Sequence, residues 1–335
     1  MALEAVPILD ISPYWSDDKA NRRALAAEVD RICREIGFMV IGGHGIDPDL
    51  VAEVESVSRT FFDLPLPEKM RIARPAPDIL RGYQPFKAEV LSRSRGGNAA
   101  AGDLNESLMI GPVDVLDTPY YSAPAAGRHF AANLWPQRPA DLRDVYERYY
   151  RVMDSLAIDL MRLLALALDL PAHYFDSSVD RSISRLRVRN YPVPEIPPEP
   201  GQLRASAHSD YGSLTILKTE DAPGGLQVLG KDGDWLDVPH RPGSFVVNIG
   251  DMLARWTNDR WVSTLHRVVN PPLDLAALSR RQSIVFFQNP NYDAVVSCLP
   301  SCTDAAHPPK YPTTTSGGHL REKFVATQQA IAYAG

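Results

Sequence analysis

The sequence predicts an α+β protein: a barrel or sandwich of short strands with helices packed around it. Three observations carry this. From Arg185 to Asn289, short runs rich in β-branched and aromatic residues alternate with Pro, Gly and Asn-Asp turn signals, and no internal repeat orders them. Apolar residues at three- and four-residue spacing mark a long helix ahead of those strands, from Asp141 to Leu170, and a helical rhythm returns from Gly317 to Ala334. In two strand-like runs the polar pairs His208/Asp210 and Arg281/Ser283 are spaced i, i+2, which on a strand sets both members on one face. We expect residues 1–180 to form a helix-and-strand region packing on a core of residues 181–300, with 301–335 a C-terminal helical segment, all in one integrated domain.

In chain order, AVPILDI reads as a first strand closed by Ser12 and Pro13. Leu25, Val29, Ile32 and Ile36 then recur at helical spacing until Gly37. FMVIGGHGI is a strand running into a glycine-rich turn. His44 in that turn is assigned a turn or packing role, and GGHG lacks the Lys-Ser/Thr continuation of a phosphate loop. Asp47 before Pro48 caps a second helix with the apolar face Leu50, Val54, Val57 and Phe61. Between Arg81 and Pro112 the middle residues are polar and small without a period, so a mobile loop is expected at about 88–106, with Gly96, Gly97 and Gly102 as hinges. The long helix backs a core rather than spanning a membrane, because Arg143, Asp144, Arg148, Asp154, Asp159 and Arg162 interrupt it. In SRLRVRNYP, Arg185, Arg187, Arg189 and Tyr191 share one strand face. GGLQVLGKDGDWLDVP reads as a hairpin turning at Asp232-Gly233, and Asn258-Asp259 marks a turn before the strand of His266.

With 335 residues, 44% hydrophobic and 23% charged, the chain has ordinary globular composition and enough length for a sizeable core. A net charge of −6 without any Lys/Arg block gives no reason to expect a nucleic-acid partner. No apolar run approaches the roughly 18 residues needed to cross a bilayer, and no basic segment followed by an apolar one opens the chain. A soluble, cytoplasmic protein without a membrane partner, monomeric or weakly homo-oligomeric, is the expectation. The three cysteines, Cys33, Cys298 and Cys302, are too few and odd in number for a disulfide framework, and no second Cys/His pair accompanies Cys298 and Cys302 at zinc-site spacing.

His208 and Asp210 in AHSDYGSLTIL, with His266 in WVSTLHRVVNP, offer two imidazoles and one carboxylate, a set that takes one face of an octahedral ion and leaves three positions open. Downstream, SRRQSIVFF carries Arg281-x-Ser283. This series resembles the isopenicillin N synthase-like branch of the 2-oxoglutarate/Fe(II)-dependent oxygenases. The opening order of strand, helix, strand, HG turn and helix extends the resemblance to nearly the whole chain. One departure is the His266 to Arg281 connection, a few residues longer over PPLDLAALS.

The resemblance implies a double-stranded β-helix (jelly-roll) core, Fe(II) on His208, Asp210 and His266, 2-oxoglutarate as cosubstrate and O2 as oxidant. It implies that Arg281 and Ser283 clamp the far carboxylate of 2-oxoglutarate and that Tyr191 adds a hydrogen bond. The activity implied is hydroxylation or desaturation of a small molecule in secondary metabolism, with succinate and CO2 as co-products. If Tyr191 points inward, period two brings Arg187 and Arg189 inward as well, and buried guanidinium groups need anionic partners. A carboxylate-bearing substrate, or further clamping of 2-oxoglutarate, would supply them; a bulge near Asn190 would instead turn them to solvent. Arg81 and Tyr83 match, loosely, an arginine and a tyrosine that help hold substrate in isopenicillin N synthase, although a solvated loop with a surface ion pair is the other reading. Phe287 is a candidate pocket-lining residue, Asp251 a turn residue, and His129, His173, His240, His307 and His319 surface or packing residues. A 2-oxoglutarate-independent iron oxidase or cyclase of the isopenicillin N synthase type shares Arg-x-Ser and stays open. A zinc hydrolase with the same triad would leave Arg281, Ser283 and Tyr191 unused, and a ligand-binding sensor would need an output surface that the sequence does not display.

Overall fold

A computed structural model describes residues 5–89, 91, 102–194 and 196–332. The chain opens with β1 (Ile8–Asp10), α1 (Lys19–Glu35) and β2 (Phe38–Gly42), with β1 and β2 parallel. Asp18 starts α1 by accepting hydrogen bonds from the backbone N–H groups of Ala20 and Asn21. Gly37 follows it at φ +65°, where an added Cβ would stand 2.1 Å from the Val262 carbonyl oxygen, so no other residue fits. α2 (Pro48–Phe62) begins on its Asp47 cap with proline in the first turn. α3 (Leu142–Ala167) packs on α1 and α2 and buries Val145, Tyr149, Met153, Leu156 and Leu160. It ends before the expected Leu170 because Asp169 turns into the left-handed region at φ +57°.

The strands β3 (Gly82–Gln84), β4 (Glu106–Ile110), β5 (Arg185–Tyr191), β6 (Ala205–His208), β7 (Leu214–Thr219), β8 (Leu226–Leu229), β9 (Trp235–Asp237), β10 (Phe245–Ile249), β11 (His266–Val268) and β12 (Arg281–Gln288) complete two sheets. One has the order β1-β2-β10-β7-β12-β5-β4-β3 and the other β6-β11-β8-β9. Apart from β1 with β2, neighbouring strands in both run antiparallel, and together they build the jelly roll. Half of the larger sheet, β1 to β4, comes from the N-terminal region, which is therefore woven into the core rather than only resting on it. β5 is buried along its whole length because both faces are covered. Leu186 and Val188 lie in the hydrophobic core, and Tyr150 of α3 meets Phe286 of β12 edge-to-face at 5.2 Å on that side.

Three connections differ from the sequence expectation. The long His266 to Arg281 connection is taken up by a 3-10 turn, Leu273–Leu278, held by Arg204, whose guanidinium donates to the Ser279 carbonyl at 2.7 Å and hydroxyl at 2.8 Å. After β10 the chain forms a helix, α4 (Asp251–Trp256), before the Asn258-Asp259 turn, where both residues have positive φ. Of the loop expected at 88–106, residues 90 and 92–101, including Gly96 and Gly97, lie outside the described residues. Its described flanks are anchored: Glu89 bonds two arginines of β5, Asp103 accepts from the Ser206 amide and hydroxyl, and Glu106 already belongs to β4. The chain closes with α5 (Ser316–Ala332). Among the described residues no helix is long and apolar enough to cross a membrane, and the three cysteines are free.

Candidate active site

β6 and β11 pair with His208 directly opposite His266, and the two rings lie 4.3 Å apart. Asp210 is not on the strand. β6 stops at His208, and Asp210 sits in the turn before β7, where its Oδ2 accepts from the Thr215 hydroxyl at 2.6 Å and the Asn248 amide at 2.8 Å. Those donors come from β7 and β10, so three elements aim one carboxylate. Its Oδ1 stands 4.0 Å from His208 Nε2 and 3.8 Å from His266 Nε2. Ligands about 2.1 Å from one ion and at right angles have edges of about 3 Å, so the set closes around a metal by drawing in edges that now reach up to 4.8 Å.

Protonation favours the same use. His208 Nδ1 lies 2.7 Å from the Ser206 carbonyl and His266 Nδ1 3.3 Å from the Thr264 carbonyl. A carbonyl only accepts, so Nδ1 carries the hydrogen and Nε2 presents its lone pair to the centre. Burial, reinforced by the neighbouring His266, brings His208 down to about 3. Burial alone would raise Asp210, but the two imidazoles and the Thr215 and Asn248 hydrogen bonds hold it below the usual carboxylate value.

On the larger sheet β12 and β5 pair without a bulge, Arg281 opposite Tyr191 and Ser283 opposite Arg189. Arg281 is 4% exposed, and among the described residues its one side-chain hydrogen bond goes from Nη1 to the Gly224 carbonyl at 3.1 Å. Its Nε has no partner and burial lowers its pKa. A buried guanidinium with an unsatisfied N–H fits an incoming carboxylate, and the His/Asp/His face fits a metal that keeps open positions.

A cavity of about 300 Å³ reaches the triad at His208 and Asp210. Phe287 lines it, as do Arg187 and Arg189. Both arginines already have a protein partner, however: Glu89 bonds Arg187 at 3.0 and 2.8 Å and Arg189 at 2.8 Å. One carboxylate thus faces two guanidinium groups, so the chain itself supplies part of the counter-charge that the sequence reasoning sought in a substrate anion. Burial opposes ionisation of Glu89, but the two guanidinium groups hold its carboxyl far below the usual range. Arg81 and Tyr83 point elsewhere. Arg81 is buried and donates to the Leu80, His129 and Ala131 carbonyls, and the Tyr83 hydroxyl donates to Glu106, which also pairs with Lys69. Neither the surface-loop reading nor a place beside the triad holds for them.

Four of the other six histidines have partners away from the triad: His44 the Gly243 carbonyl, His173 Asp176, His307 Asp304 and His319 the Tyr211 carbonyl. Asp251 accepts from Ser263 and pairs with Lys323. Residues that the sequence reasoning did not single out are Glu89, Thr215, Asn248, Arg74 and Arg204. Thr215 lies inside the motif stretch five positions after Asp210, but nothing local marks Glu89 or Asn248 as partners of distant strands.

Comparison with known proteins decides the family. Residues 6–138 match the family described as non-haem dioxygenase in morphine synthesis N-terminal, and residues 183–290 match the 2OG-Fe(II) oxygenase superfamily. A 2-oxoglutarate-Fe(II) type oxidoreductase, hxnY, of Emericella nidulans is 37% identical over 97% of this chain and 90% of its own length. This chain belongs to the 2-oxoglutarate/Fe(II)-dependent oxygenases. A homoarginine-6-hydroxylase of Oryza sativa subsp. japonica is 33% identical over 96% of this oxygenase and 97% of the relative. The crystal structure of a full-length Neurospora crassa protein in complex with alpha-KG and thymine superposes with TM-score 0.82 at 32% identity, covering 96% of this chain and 97% of that one. The oxygenase is accordingly an oxidoreductase that uses Fe(II), 2-oxoglutarate and O2, and an isopenicillin N synthase-type oxidase without 2-oxoglutarate is not favoured.

Proposed function

We propose that this oxygenase hydroxylates or desaturates a small, carboxylate-bearing molecule, with His208, Asp210 and His266 holding iron and Arg281, Ser283 and Tyr191 holding the far carboxylate of 2-oxoglutarate. The observation that carries this reading is the meeting of three ligand atoms within 4.8 Å of one another. A buried Arg281 with an unsatisfied Nε, on the facing sheet, supports the cosubstrate assignment. Bound Fe(II) with 2-oxoglutarate and O2 supplies the oxidising power for C–H cleavage and yields succinate and CO2.

The chain supplies position and shielding. The Ser206 and Thr264 carbonyls fix the two imidazoles, Thr215 and Asn248 keep Asp210 ionised and aimed, and Leu80, Met109 and Phe287 give the cavity apolar walls. The rice relative's name contains that of an amino acid, which agrees with a carboxylated small substrate. A net charge of −6 without a basic block supports an enzyme without a nucleic-acid partner, and we place it in the cytoplasm as a monomer or weak homo-oligomer. Succinate release by the iron-loaded enzyme tests the reading: it should require 2-oxoglutarate and rise with substrate. Oxygen consumption indifferent to 2-oxoglutarate, or better turnover with zinc than iron, would refute it.

A further inference from the structure

The cavity over the triad is lined by four guanidinium groups, Arg74, Arg185, Arg187 and Arg189, and by two carboxylates, Glu89 and Asp210. Asp210 belongs to the candidate metal centre. Glu89 is fully engaged by Arg187 and Arg189. Arg74 donates from Nε to the Ala76 and Ile79 carbonyls and from Nη2 to the Pro77 carbonyl. The Arg185 side chain has no hydrogen bond and no ion pair among the described residues, although the residue is only 8% exposed. It stands opposite Phe287 in the β5–β12 register, on the cavity side, with its guanidinium 5.3 Å from the Phe324 ring of α5.

None of its neighbours forms an ion pair with it: Asp78 and Asp293, which share a second cavity with Arg185, are engaged by Arg128 and the Tyr120 hydroxyl. Arg81 donates to carbonyls, and burial holds His129 neutral, down to about 3. Burial, with Arg81 and Arg74 adding repulsion, brings Arg185 down to about 9, which still leaves it a cation at neutral pH. An unpaired, largely buried cation is costly, and an anion entering the cavity would offset that cost. The planar fork of a single guanidinium matches a single carboxylate. Leu80, Met109, Phe287, Leu320 and Phe324 give the cavity an apolar wall, beside the uncharged polar side chains of Gln84, Ser209 and Asn289.

We propose that Arg185, with Arg74 adding positive potential, anchors the carboxylate of the substrate, and that the substrate is a small monocarboxylate with an apolar body lying between Arg185 and the triad. This rests on the oxygenase reading for the identity of the cavity, and it assigns the anchor to Arg185, which has no carboxylate partner, rather than to Arg187 or Arg189, which share Glu89.

The test uses 3-phenylpropanoate and its amide as probes, bound by calorimetry to the full-length enzyme loaded with iron and 2-oxoglutarate without oxygen. The wild type should bind the acid about 30-fold or more tightly than the amide. Arg185→Met should abolish that preference while leaving amide, iron and 2-oxoglutarate binding unchanged, and should keep or raise Tm because it deletes an unpaired buried charge. Arg185→Gln should lose the preference likewise, so a folding defect in one variant does not decide the matter, and Arg185→Lys should restore part of it. Equal binding of acid and amide by the wild type, a preference surviving in both Arg185→Met and Arg185→Gln, or tighter binding of 2-phenylethyl phosphate than of 3-phenylpropanoate would overturn the proposal. A wild type that shows the acid preference, loses it in Arg185→Met, yet never releases succinate would uphold the anchor and sink the oxygenase reading alone.

Discussion

Arg281→Ala removes the one guanidinium at the cosubstrate end that has a free buried N–H. Truncating one side of a buried charge-assisted pair costs about 2 to 5 kcal/mol. The lower half of that range applies here. Arg281 already gives one donor to the Gly224 carbonyl, and Ser283 and Tyr191 remain in place beside the gap. The expected loss is therefore about 30- to 300-fold in the affinity for 2-oxoglutarate. Succinate release measured against 2-oxoglutarate at saturating iron reads it as a rise in KM, with iron affinity measured separately by calorimetry. Arg281→Lys, which keeps the charge but not the fork, should fall between wild type and Arg281→Ala. A shift smaller than about threefold with iron binding intact would refute the clamp.

Asn248→Ala or Thr215→Val, by freeing the Asp210 carboxylate, should weaken iron binding about 10- to 100-fold in chelator competition, and unchanged affinity would refute their aiming role. Glu89→Gln leaves Arg187 and Arg189, with side chains 5% and 7% exposed, without counter-charge and should destabilise by about 3 kcal/mol in denaturant unfolding at pH 7. Because the folded-state pKa of Glu89 is depressed, its stabilisation is present above the usual carboxylate range and fades as pH falls below it, so wild type and variant should converge in acid. Asp154 behaves oppositely: burial raises it from 3.8 to about 6 against the Ser182 hydrogen bond, so its ionisation burdens the folded state increasingly from pH 3.8 and fully above 6. Asp154→Asn should stabilise by about 1 to 2 kcal/mol at pH 7.5 and by nothing near pH 3.5; an equal gain at both would refute this account.

Local patterns in the sequence carried the elements whose causes are local. Asp18, Asp47 and Gly37 bound helices through caps that need only their own neighbours, and the Asp232-Gly233 turn closes β8 on β9 for the same reason. The triad was legible because residue type and spacing restrict the chemistry, even though Asp210 reaches the centre from a turn and not from the strand. Period two correctly placed the arginines of β5 inside, but not what meets them. Glu89 is about a hundred positions from its partners in a stretch without periodicity, so its pairing is a tertiary outcome that no local signal records. Arg81 and Tyr83 were misplaced for a related reason. An arginine satisfied by backbone carbonyls and a tyrosine on a buried glutamate look, in sequence, the same as ligand-binding residues.

The interleaving of the N-terminal strands has a practical corollary. β10, which carries Asn248, hydrogen-bonds β2 on one side and β7 on the other, and β4 flanks β5. A gene fragment restricted to residues 183–290, the span that matches the oxygenase superfamily, would strip β10 and β5 of those neighbours and bare two rows of backbone donors and acceptors. Such a fragment is built to self-associate, so transplanting this catalytic machinery means carrying the first half of the polypeptide with it.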